Sequence, residues 1–344
     1  MPTPRYIIIA LILYVILSLF LLIARRLNII DRPDERSSHS RPTIRGGGII
    51  FPISALIWFV LFGQQDPWAI IGLMLISFVS FWDDIKNIRA GIRFVIHLAA
   101  VSMLFYEIGI FGYYWYWVAL AYILTVGCIN AVNFMDGING ITAFYGLVTL
   151  GAFSLLNNAE RLLLPYFNDG LPAGWETFIP GRLVGVLFMG VIVFTIFNAR
   201  KRAVTFAGDV GSISIAFILS WFMIELMVMS NNFFWILLFA VYGIDTGFTI
   251  LLRLLHGENI LKPHRHHLYQ LLANEKGWPH LLVAILFAFT QLLINILTIW
   301  LVLSNQMNLL LFFLILALLT GVYALIRKKI TGRMLGLLYQ TDQP

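Results

Sequence analysis

The sequence predicts an all-α protein that crosses a membrane many times. Hydrophobic residues make up 60% of its 344 residues and charged residues only 12%, whereas a soluble domain carries roughly 25% charged residues. The mean hydropathy is +0.87, and apolar runs near the length of a membrane span recur along the chain. Because so few charges could not cover a soluble particle, we expect one transmembrane domain over residues 1–344.

Eleven apolar runs are predicted to span the membrane. The first is preceded by Arg5 and followed by Arg25 and Arg26 without a small-residue cleavage pattern, which indicates a retained span rather than a signal peptide. The single cysteine, Cys128, excludes an intrachain disulfide framework and is expected to pack inside a span. The predicted spans lie near residues 6–24, 47–63, 68–82, 94–110, 115–133, 141–157, 182–198, 211–229, 233–252, 280–303 and 309–326.

Lysine and arginine are distributed unequally between the two sides of the membrane in this predicted topology. If residue 1 is outside, the inside segments hold 20 of the 23 lysines and arginines, and the outside segments hold only Arg5, Arg161 and Arg182. Cytoplasmic loops of membrane proteins are enriched in these residues. The N-terminus is therefore predicted outside and the C-terminus inside, and the net charge of +6 does not predict a nucleic-acid partner.

Three polar clusters fall at predicted cytoplasmic ends of spans. Asp83 and Asp84 end the third span, residues 130–140 connect the fifth and sixth, and Asp209 begins the eighth. Taken singly, each has a simpler explanation as a solvated helix end, a tight turn or a helix N-cap. Together on one face they predict a metal-dependent phosphate site, because carboxylate and phosphate oxygens suit Mg²⁺ or Mn²⁺.

A basic segment follows on the same face. Residues 253–279 hold four of the seven histidines, and histidine and arginine side chains donate hydrogen bonds to phosphate. Clustered histidines can also bind zinc, but no cysteine lies nearby and the spacing is too tight for one tetrahedral site. We therefore predict cationic contacts to a phosphate.

The order of these motifs resembles that of the polyprenyl-phosphate N-acetylhexosamine-1-phosphate transferases of glycosyltransferase family 4. The resemblance covers roughly residues 28–275. Asp83-Asp84 match the paired aspartates of that family, Asn130 to Gly140 match its Asn-x-x-Asn-x-x-Asp-Gly segment, and Asp209 matches its Gly-Asp-x-Gly-Ser motif. The first cytoplasmic loop is also similar, with Ile44 where a proline is common.

The sequence departs from the family pattern at two places. Asn139 stands where a second aspartate is usual. The last loop reads His264-Arg265-His266-His267 and continues to Tyr269-Gln270, where many relatives have His-x-His-His, so two registers of the histidine motif remain open. This form of the loop, with eleven spans, resembles the branch that initiates O-antigen synthesis more than the peptidoglycan branch.

The resemblance implies an enzyme of the bacterial cytoplasmic (inner) membrane with its active site on the cytoplasmic face. Such an enzyme transfers N-acetylhexosamine-1-phosphate from a UDP-sugar to polyprenyl (undecaprenyl) phosphate and releases UMP. This would be the first membrane step of lipopolysaccharide-like envelope polysaccharide synthesis. The implied cofactor is Mg²⁺, with Mn²⁺ as the alternative. The partners are the UDP-sugar, polyprenyl phosphate and membrane lipid, and a homodimer is left open.

The resemblance also implies roles for individual residues. The catalytic residues are Asp83, Asp84, Asp136, Asp209 and His267, of which Asp209, Asp84 and Asp136 would hold the metal. The substrate-binding residues are Asn130, Asn133, Asn139, Lys86, Arg36, His39, Arg45, His264, Arg265 and His266.

Two other classes of function are compatible with a protein that crosses the membrane many times. A secondary transporter or flippase would carry acidic residues in the middle of broken spans. We expect little charge in mid-span here, with Glu107 and Glu225 near outer ends. A scaffold protein would tolerate alanine at Asp83, Asp84 and Asp209 together.

Overall fold

A computed structural model of the chain describes residues 4–33, 38–167, 170–172, 175–259 and 264–332. Arg36, a predicted substrate contact, lies outside the described residues. Within these ranges the longer helices are α1 (Pro4–Arg26), α2 (Ile50–Phe62), α3 (Pro67–Ile85), α4 (Ala90–Ile108), α5 (Trp115–Met135), α6 (Ile141–Asn157), α7 (Leu183–Asn198), α8 (Gly208–Ser230), α9 (Ala240–Leu255), α10 (His280–Leu303) and α11 (Leu309–Thr331). Short helical turns lie at Gly47–Ile49, Ile110–Gly112, Ala159–Leu162, Leu164–Tyr166, Phe233–Phe239, Leu268–Gln270 and Leu271–Glu275.

The helices form a bundle with α8 at its centre. Helix α8 packs against α2, α3, α5 and α6, while α3 pairs with α4, α6 with α10, and α7 with both α1 and α2. Nearly all α8 side chains between Val210 and Leu226 are buried. A helix that is apolar on all sides suits either a membrane span or the core of a bundle, and the burial of α8 places it in the core.

Eight helical segments of the described residues are long and apolar enough to cross a membrane, by length and composition. Three further apolar helices, Gly47–Phe62, Ile141–Asn157 and Leu183–Asn198, are shorter. The all-α, polytopic prediction is therefore confirmed for the described chain. The count of eleven spans and their orientation remain predictions.

The segment between α1 and α2 folds back onto the start of α8. Strands β1 (Ile30–Asp31) and β2 (Thr43–Ile44) pair antiparallel, and Ile44 forms a parallel bridge with Thr205. The turn at Gly47–Ile49 then packs against α8. Two-residue strands have no periodic pattern that a sequence could reveal, and this pairing was not predicted.

Gly48 and Gly211 bring two backbones into direct contact at this point. A Cβ at Gly48 would lie 2.2 Å from Gly211 Cα, and a Cβ at Gly211 would lie 2.6 Å from Gly48 Cα. Because the obstructing atoms are backbone, we expect Gly48→Ala to destabilise the protein by roughly 1–3 kcal/mol. The measurement is the thermal unfolding midpoint in detergent, with Gly91→Ala as control because a Cβ there has no neighbour within 4 Å. An unchanged midpoint for Gly48→Ala would contradict this contact.

Candidate active site

Asp209 lies in the first turn of α8, where the ends of α3 and α5 meet it. Its Oδ1 accepts hydrogen bonds from Arg45 Nη2 at 3.1 Å and from Asn133 Nδ2 at 3.3 Å. The positive end of the helix dipole favours a carboxylate at this position. The side chain is 21% exposed, so the carboxylate is held in place and is still accessible.

Asp84 supplies the N-terminal cap of α8 from the end of α3. Its Oδ1 accepts from the backbone N–H of Asp209 at 2.8 Å and its Oδ2 from that of Val210 at 3.0 Å. Arg45 Nε lies 2.6 Å from Asp84 Oδ1, and the Asp84 side chain has no exposed surface. Both carboxylate oxygens of Asp84 thus have hydrogen-bond partners. Asp84 therefore holds the first turn of α8, which carries Asp209, in place. The predicted metal-binding role of Asp84 has no support in this geometry.

Asp83 is held by different partners. Its carboxylate accepts hydrogen bonds from the backbone N–H of Ile88 at 2.7 Å and from Arg93 Nη1. Arg93 Nη1 also lies 3.7 Å from Asp209 Oδ2. Arg93 therefore links the carboxylates of Asp83 and Asp209, a contact that the sequence does not reveal. The catalytic role of Asp83 stays a prediction.

A cavity of about 280 Å³ lies in front of Asp209. Asp136 and Asn133 line it from the end of α5, and Ser212 lines it from α8. Asn133 Nδ2 donates to Ser212 Oγ at 2.8 Å, which ties the two helices together. Three further predicted residues also line this cavity, namely His39, Arg45 and Asn139.

Of the remaining predicted contacts around α3 and α5, Asn130 and Lys86 lie away from the cavity. Asn139 Nδ2 donates to the Arg200 carbonyl at 2.9 Å at the cavity wall, whereas Asn130 Nδ2 donates to the Val126 carbonyl of its own helix at 2.8 Å. Lys86 is exposed just beyond α3. Neither Asn130 nor Lys86 is among the residues lining the cavity, so their predicted substrate contacts have no support in this geometry.

Burial changes the acidity of Asp136, which lies just beyond the end of α5. Burial raises the pKa of Asp136 from 3.8 to about 6, with the charge of Asp209 acting in the same direction and a hydrogen bond from Thr142 acting against it. The Thr142 Oγ1 hydrogen bond to Asp136 Oδ1 is 2.5 Å long. A raised carboxyl pKa means that the protonated form is favoured in the folded protein. Its contribution to stability is full below pH 3.8 and is lost as the pH rises through about 6.

Asp136→Asn should therefore stabilise the metal-free protein at pH 7.5 by roughly 1–3 kcal/mol, because it removes the cost of ionising a carboxyl group in this site. Asparagine can still accept the Thr142 hydrogen bond. At pH 4.5 the gain should fall to roughly a third of its value at pH 7.5. Thermal unfolding midpoints of wild type and variant at the two pH values check this. A gain of equal size at both pH values would mean that ionisation of Asp136 is not the cause.

The donor set of the cavity fits a Mg²⁺ ion that is bound together with a phosphate substrate. Asp136 and Asp209 both line the cavity, and the charge of Asp209 reaches Asp136. Among the described residues, no group of three histidine, cysteine or acidic side chains is placed to hold an ion. Mg²⁺ commonly binds one or two carboxylates and completes its shell with water and phosphate oxygens. The residues therefore fit a shared site and not an all-protein one.

A second cluster, His264, His266 and His267, lies beside the cavity. His267 Nδ1 lies 3.0 Å from Asp245 Oδ1, and both Asp245 oxygens accept from the Leu268 N–H at 3.1 Å. Asp245 is fully buried inside α9. A carboxylate on Nδ1 fixes the orientation of the imidazole ring, and Nε2 of His267 is buried without a hydrogen-bond partner among the described residues.

Tyr269 and Gln270 connect this histidine cluster to the acidic cavity. Tyr269 Oη donates to the Phe134 carbonyl at 3.0 Å. A Cβ at Gly137 would lie 2.1 Å from Tyr269 Oη. Gln270 lines the cavity, while His267 does not. Tyr269 and Gln270, which depart from the His-x-His-His pattern, thus form the wall between the histidine cluster and the acidic cavity.

Two of the predicted phosphate-binding histidines are neutral at physiological pH. Burial lowers the pKa of His264 to about 3, assisted by neighbouring positive charges. Burial also lowers the pKa of His266 to about 4, with Arg327 and Arg253 acting in the same direction and Glu258 against them. Both rings can still form hydrogen bonds, and their contact to a phosphate stays a prediction. Arg265, which lies between His264 and His266, supplies the positive charge of this loop.

Asp245 is the functional candidate that sequence reasoning missed. The expectation of little mid-span charge overlooked it, although a carboxylate within an apolar run is a usual mark of function. Asn198 was also missed. Its Oδ1 accepts from the Gly140 N–H at 2.8 Å and its Nδ2 donates to the Thr205 carbonyl at 2.9 Å, so it connects two walls of the cavity.

The fold and this site define a class, that of helical membrane proteins with a carboxylate-lined cavity at one end of the bundle. A family model described as "Glycosyl transferase family 4" matches residues 67–227, which include Asp83, Asp136 and Asp209. This match agrees with the family that the motif order of the sequence resembles.

Curated relatives agree with this placement. A probable undecaprenyl-phosphate N-acetylglucosaminyl 1-phosphate transferase of Bacillus subtilis is 23% identical over 329 residues, which cover 87% of both chains. A decaprenyl-phosphate N-acetylglucosaminephosphotransferase of Mycobacterium leprae is 26% identical over 61% of this chain and 58% of its own. A phospho-N-acetylmuramoyl-pentapeptide-transferase of Halalkalibacterium halodurans is 25% identical over 70% of this chain and 65% of its own.

Proposed function

We propose that this protein transfers N-acetylhexosamine-1-phosphate from a UDP-sugar to a membrane polyprenyl phosphate. The observation that carries the proposal is the Asp209 site, in which Asp84 and Arg45 fix a carboxylate at the mouth of a polar cavity. The names of the relatives supply the substrate classes, a polyprenyl phosphate and an N-acetylhexosamine phosphate. The proposal includes a cytoplasmic active site in a bacterial inner membrane and the first step of an O-antigen-like polysaccharide.

The proposed reaction exchanges one phosphorus–oxygen bond for another. An oxygen of the polyprenyl phosphate attacks the β-phosphorus of the UDP-sugar. The bond between the β-phosphorus and the bridging oxygen breaks, and UMP leaves with that oxygen and its electron pair. Because two anions must approach each other, the protein has to neutralise charge and align the groups.

The cavity residues can meet both requirements. Asp136 and Asp209 would hold Mg²⁺, or Mn²⁺, which when bound neutralises the charge of the nucleotide diphosphate. Arg45 reaches into the same cavity from the β2–α2 segment and can bind a phosphate oxygen. Asn133 and Asn139 offer amide groups to the ribose or the sugar. Asp83 is our candidate to orient the lipid phosphate, with Arg93 holding it beside Asp209.

The test is release of UMP by the protein purified in detergent. The protein is given undecaprenyl phosphate, Mg²⁺ or EDTA, and one of several UDP-N-acetylhexosamines. We expect release that requires lipid, is abolished by EDTA and favours one sugar. No release with any donor, from protein that still binds a UDP-sugar, would contradict the proposal.

A transporter is the second candidate, favoured by one observation. Asp245 is a buried carboxylate within α9, next to the 3₁₀ turn Phe233–Phe239 that interrupts this span, as transporters often have. Its hydrogen bonds from His267, Leu268 and Tyr323 favour a positioning role instead. Uptake of UDP-sugar into proteoliposomes without UMP release would favour the transporter.

A further inference from the structure

Helix α11 buries few of its side chains against the rest of the bundle. They are Phe312 near its start and Tyr323, Ala324 and Arg327 near its end. Tyr323 and Arg327 are four residues apart and therefore lie on the same face of the helix. Both form hydrogen bonds to the surroundings of His267, so the end of α11 meets the histidine cluster through these two side chains.

Arg327 is buried where a basic side chain would ordinarily be exposed. Its relative exposure is 0%, although the next two residues, Lys328 and Lys329, are both exposed. Basic side chains near the end of a span usually extend to water. Arg327 instead points inward, and its Nη1 donates a hydrogen bond to the His266 carbonyl. The acceptor belongs to the peptide group that joins His266 to His267.

Tyr323 makes the second contact, one turn earlier on α11. Its Oη donates to Asp245 Oδ1 at 3.1 Å, and the same carboxylate oxygen lies 3.0 Å from His267 Nδ1. Arg327 thus binds the peptide group before His267, and Tyr323 binds the carboxylate that orients its ring. The two contacts of α11 fix both the backbone and the side chain at this position.

Further contacts reach His266 from α9. Arg253 Nε lies 2.8 Å from Glu258 Oε2, and Glu258 Oε1 lies 3.7 Å from His266 Nε2. With Arg327 on the His266 carbonyl, the histidine cluster is held between α9 and α11.

The guanidinium of Arg327 is unfavourable for stability in this place. Its Nε and Nη2 are buried without a hydrogen-bond partner among the described residues, and burying such donors costs free energy. Its hydrogen-bond acceptor is a neutral carbonyl, so an apolar side chain of similar length would leave no unpaired charge behind. Packing of α11 therefore does not require an arginine, whereas fixing the His266–His267 peptide does.

We propose that Arg327 and Tyr323 of α11 are positioning residues, which hold the histidine cluster in the arrangement that the transfer reaction requires. The proposal deepens the function proposed above and rests on it. Neither residue lines the acidic cavity, so both act through the segment that carries His267. Helix α11 also lies beyond residues 67–227, which the family model matches, and beyond the last motif of the sequence.

The first test compares Arg327→Met with Lys328→Met, which removes the same charge from the next, exposed position. Arg327→Met should lower kcat for UMP release at least about tenfold, with the KM for the UDP-sugar changed less than about twofold. Its thermal unfolding midpoint should equal or exceed that of wild type. Arg327→Lys can still donate to the carbonyl and should recover part of kcat. Wild-type kcat in Arg327→Met, or an equal loss in Lys328→Met, would overturn the proposal.

The second test asks whether both residues act through His267. Tyr323→Phe removes only one hydroxyl group and should lower kcat about tenfold, because Asp245 then loses a hydrogen bond that fixes it. In the His267→Ala background, Tyr323→Phe and Arg327→Met should each cost little more. Undiminished losses in that background would overturn the positioning role.

A third measurement needs no turnover. Hydrogen–deuterium exchange in detergent reports how often the segment with the histidines opens, for instance at the Leu268 N–H that donates to Asp245. Arg327→Met should speed exchange in peptides covering residues 264–270 at least about tenfold, and Lys328→Met should not. Unchanged exchange in Arg327→Met would overturn the proposal. If wild type turns over no donor, the proposed reaction fails, and the exchange still decides whether α11 holds this segment.

Discussion

Asp209→Asn should abolish turnover, with a loss of at least about 10³-fold in UMP release. The substitution keeps the size of the side chain and an oxygen that can accept from Arg45 and Asn133, which are Asp209's partners in the structure. It removes the negative charge at the cavity that would hold the metal. UMP release at saturating Mg²⁺, together with the thermal unfolding midpoint, provides the measurement.

The matched control is a carboxylate on the opposite side of the fold. Asp66 precedes α3 at the far end from Asp84 and does not line the acidic cavity. Asp66→Asn removes the same charge and should leave UMP release close to wild type. Normal turnover by a folded Asp209→Asn protein would show that Asp209 does not bind the metal in this enzyme.

Asp245→Asn should lower UMP release about 100-fold, although Asp245 does not touch the acidic cavity. Asp245 accepts hydrogen bonds from His267 Nδ1, the Leu268 N–H and Tyr323 Oη. An amide can keep only part of this arrangement, so the His267 ring loses its fixed orientation. His267→Ala should cost at least as much as Asp245→Asn, because it removes the ring that Asp245 orients.

The double variant separates a positioning role from a structural one. If Asp245 acts through His267, adding Asp245→Asn to His267→Ala should cost little more, whereas independent roles would multiply the two losses. His266→Ala should have a smaller effect than His267→Ala, because the His266 ring has no contact with Asp245 and the pKa of His266 is lowered to about 4. Equal losses at His266 and His267 would favour the alternative register of the motif.

The apolar runs allowed most of the helices to be predicted to within a few residues, because each span must satisfy its own backbone in lipid. Helix α9 is an exception, because it begins at Ala240, after the 3₁₀ turn Phe233–Phe239, and not at residue 233. The first residue of α8 could not be predicted in this way. The run predicts a start near residue 211, but the helix begins at Gly208. The cap comes from Asp84, 125 residues earlier in the chain, and a contact at that distance leaves no local pattern.

The types of residue that form the site could be predicted from the sequence, but the role of each residue only in part. Asp209, Asp136 and Asn133 meet at one cavity because the end of α5 and the start of α8 carry them to the same side. The sequence could not show that Asp84 is fully buried beneath Arg45, since adjacent aspartates look equivalent until the helix direction separates them. Asp245 could have been found, because a lone carboxylate inside an apolar run is costly without a partner.

The most direct test of the central claim uses UDP-N-acetylhexosamine labelled with ³²P at the β-phosphate. The account predicts that the label moves to the lipid fraction in proportion to UMP released, in the presence of undecaprenyl phosphate and Mg²⁺. Asp209→Asn should leave the label in the donor. Label recovered as UDP, with unlabelled sugar on the lipid, would contradict the account, because the bond to the β-phosphate would then have stayed with the nucleotide.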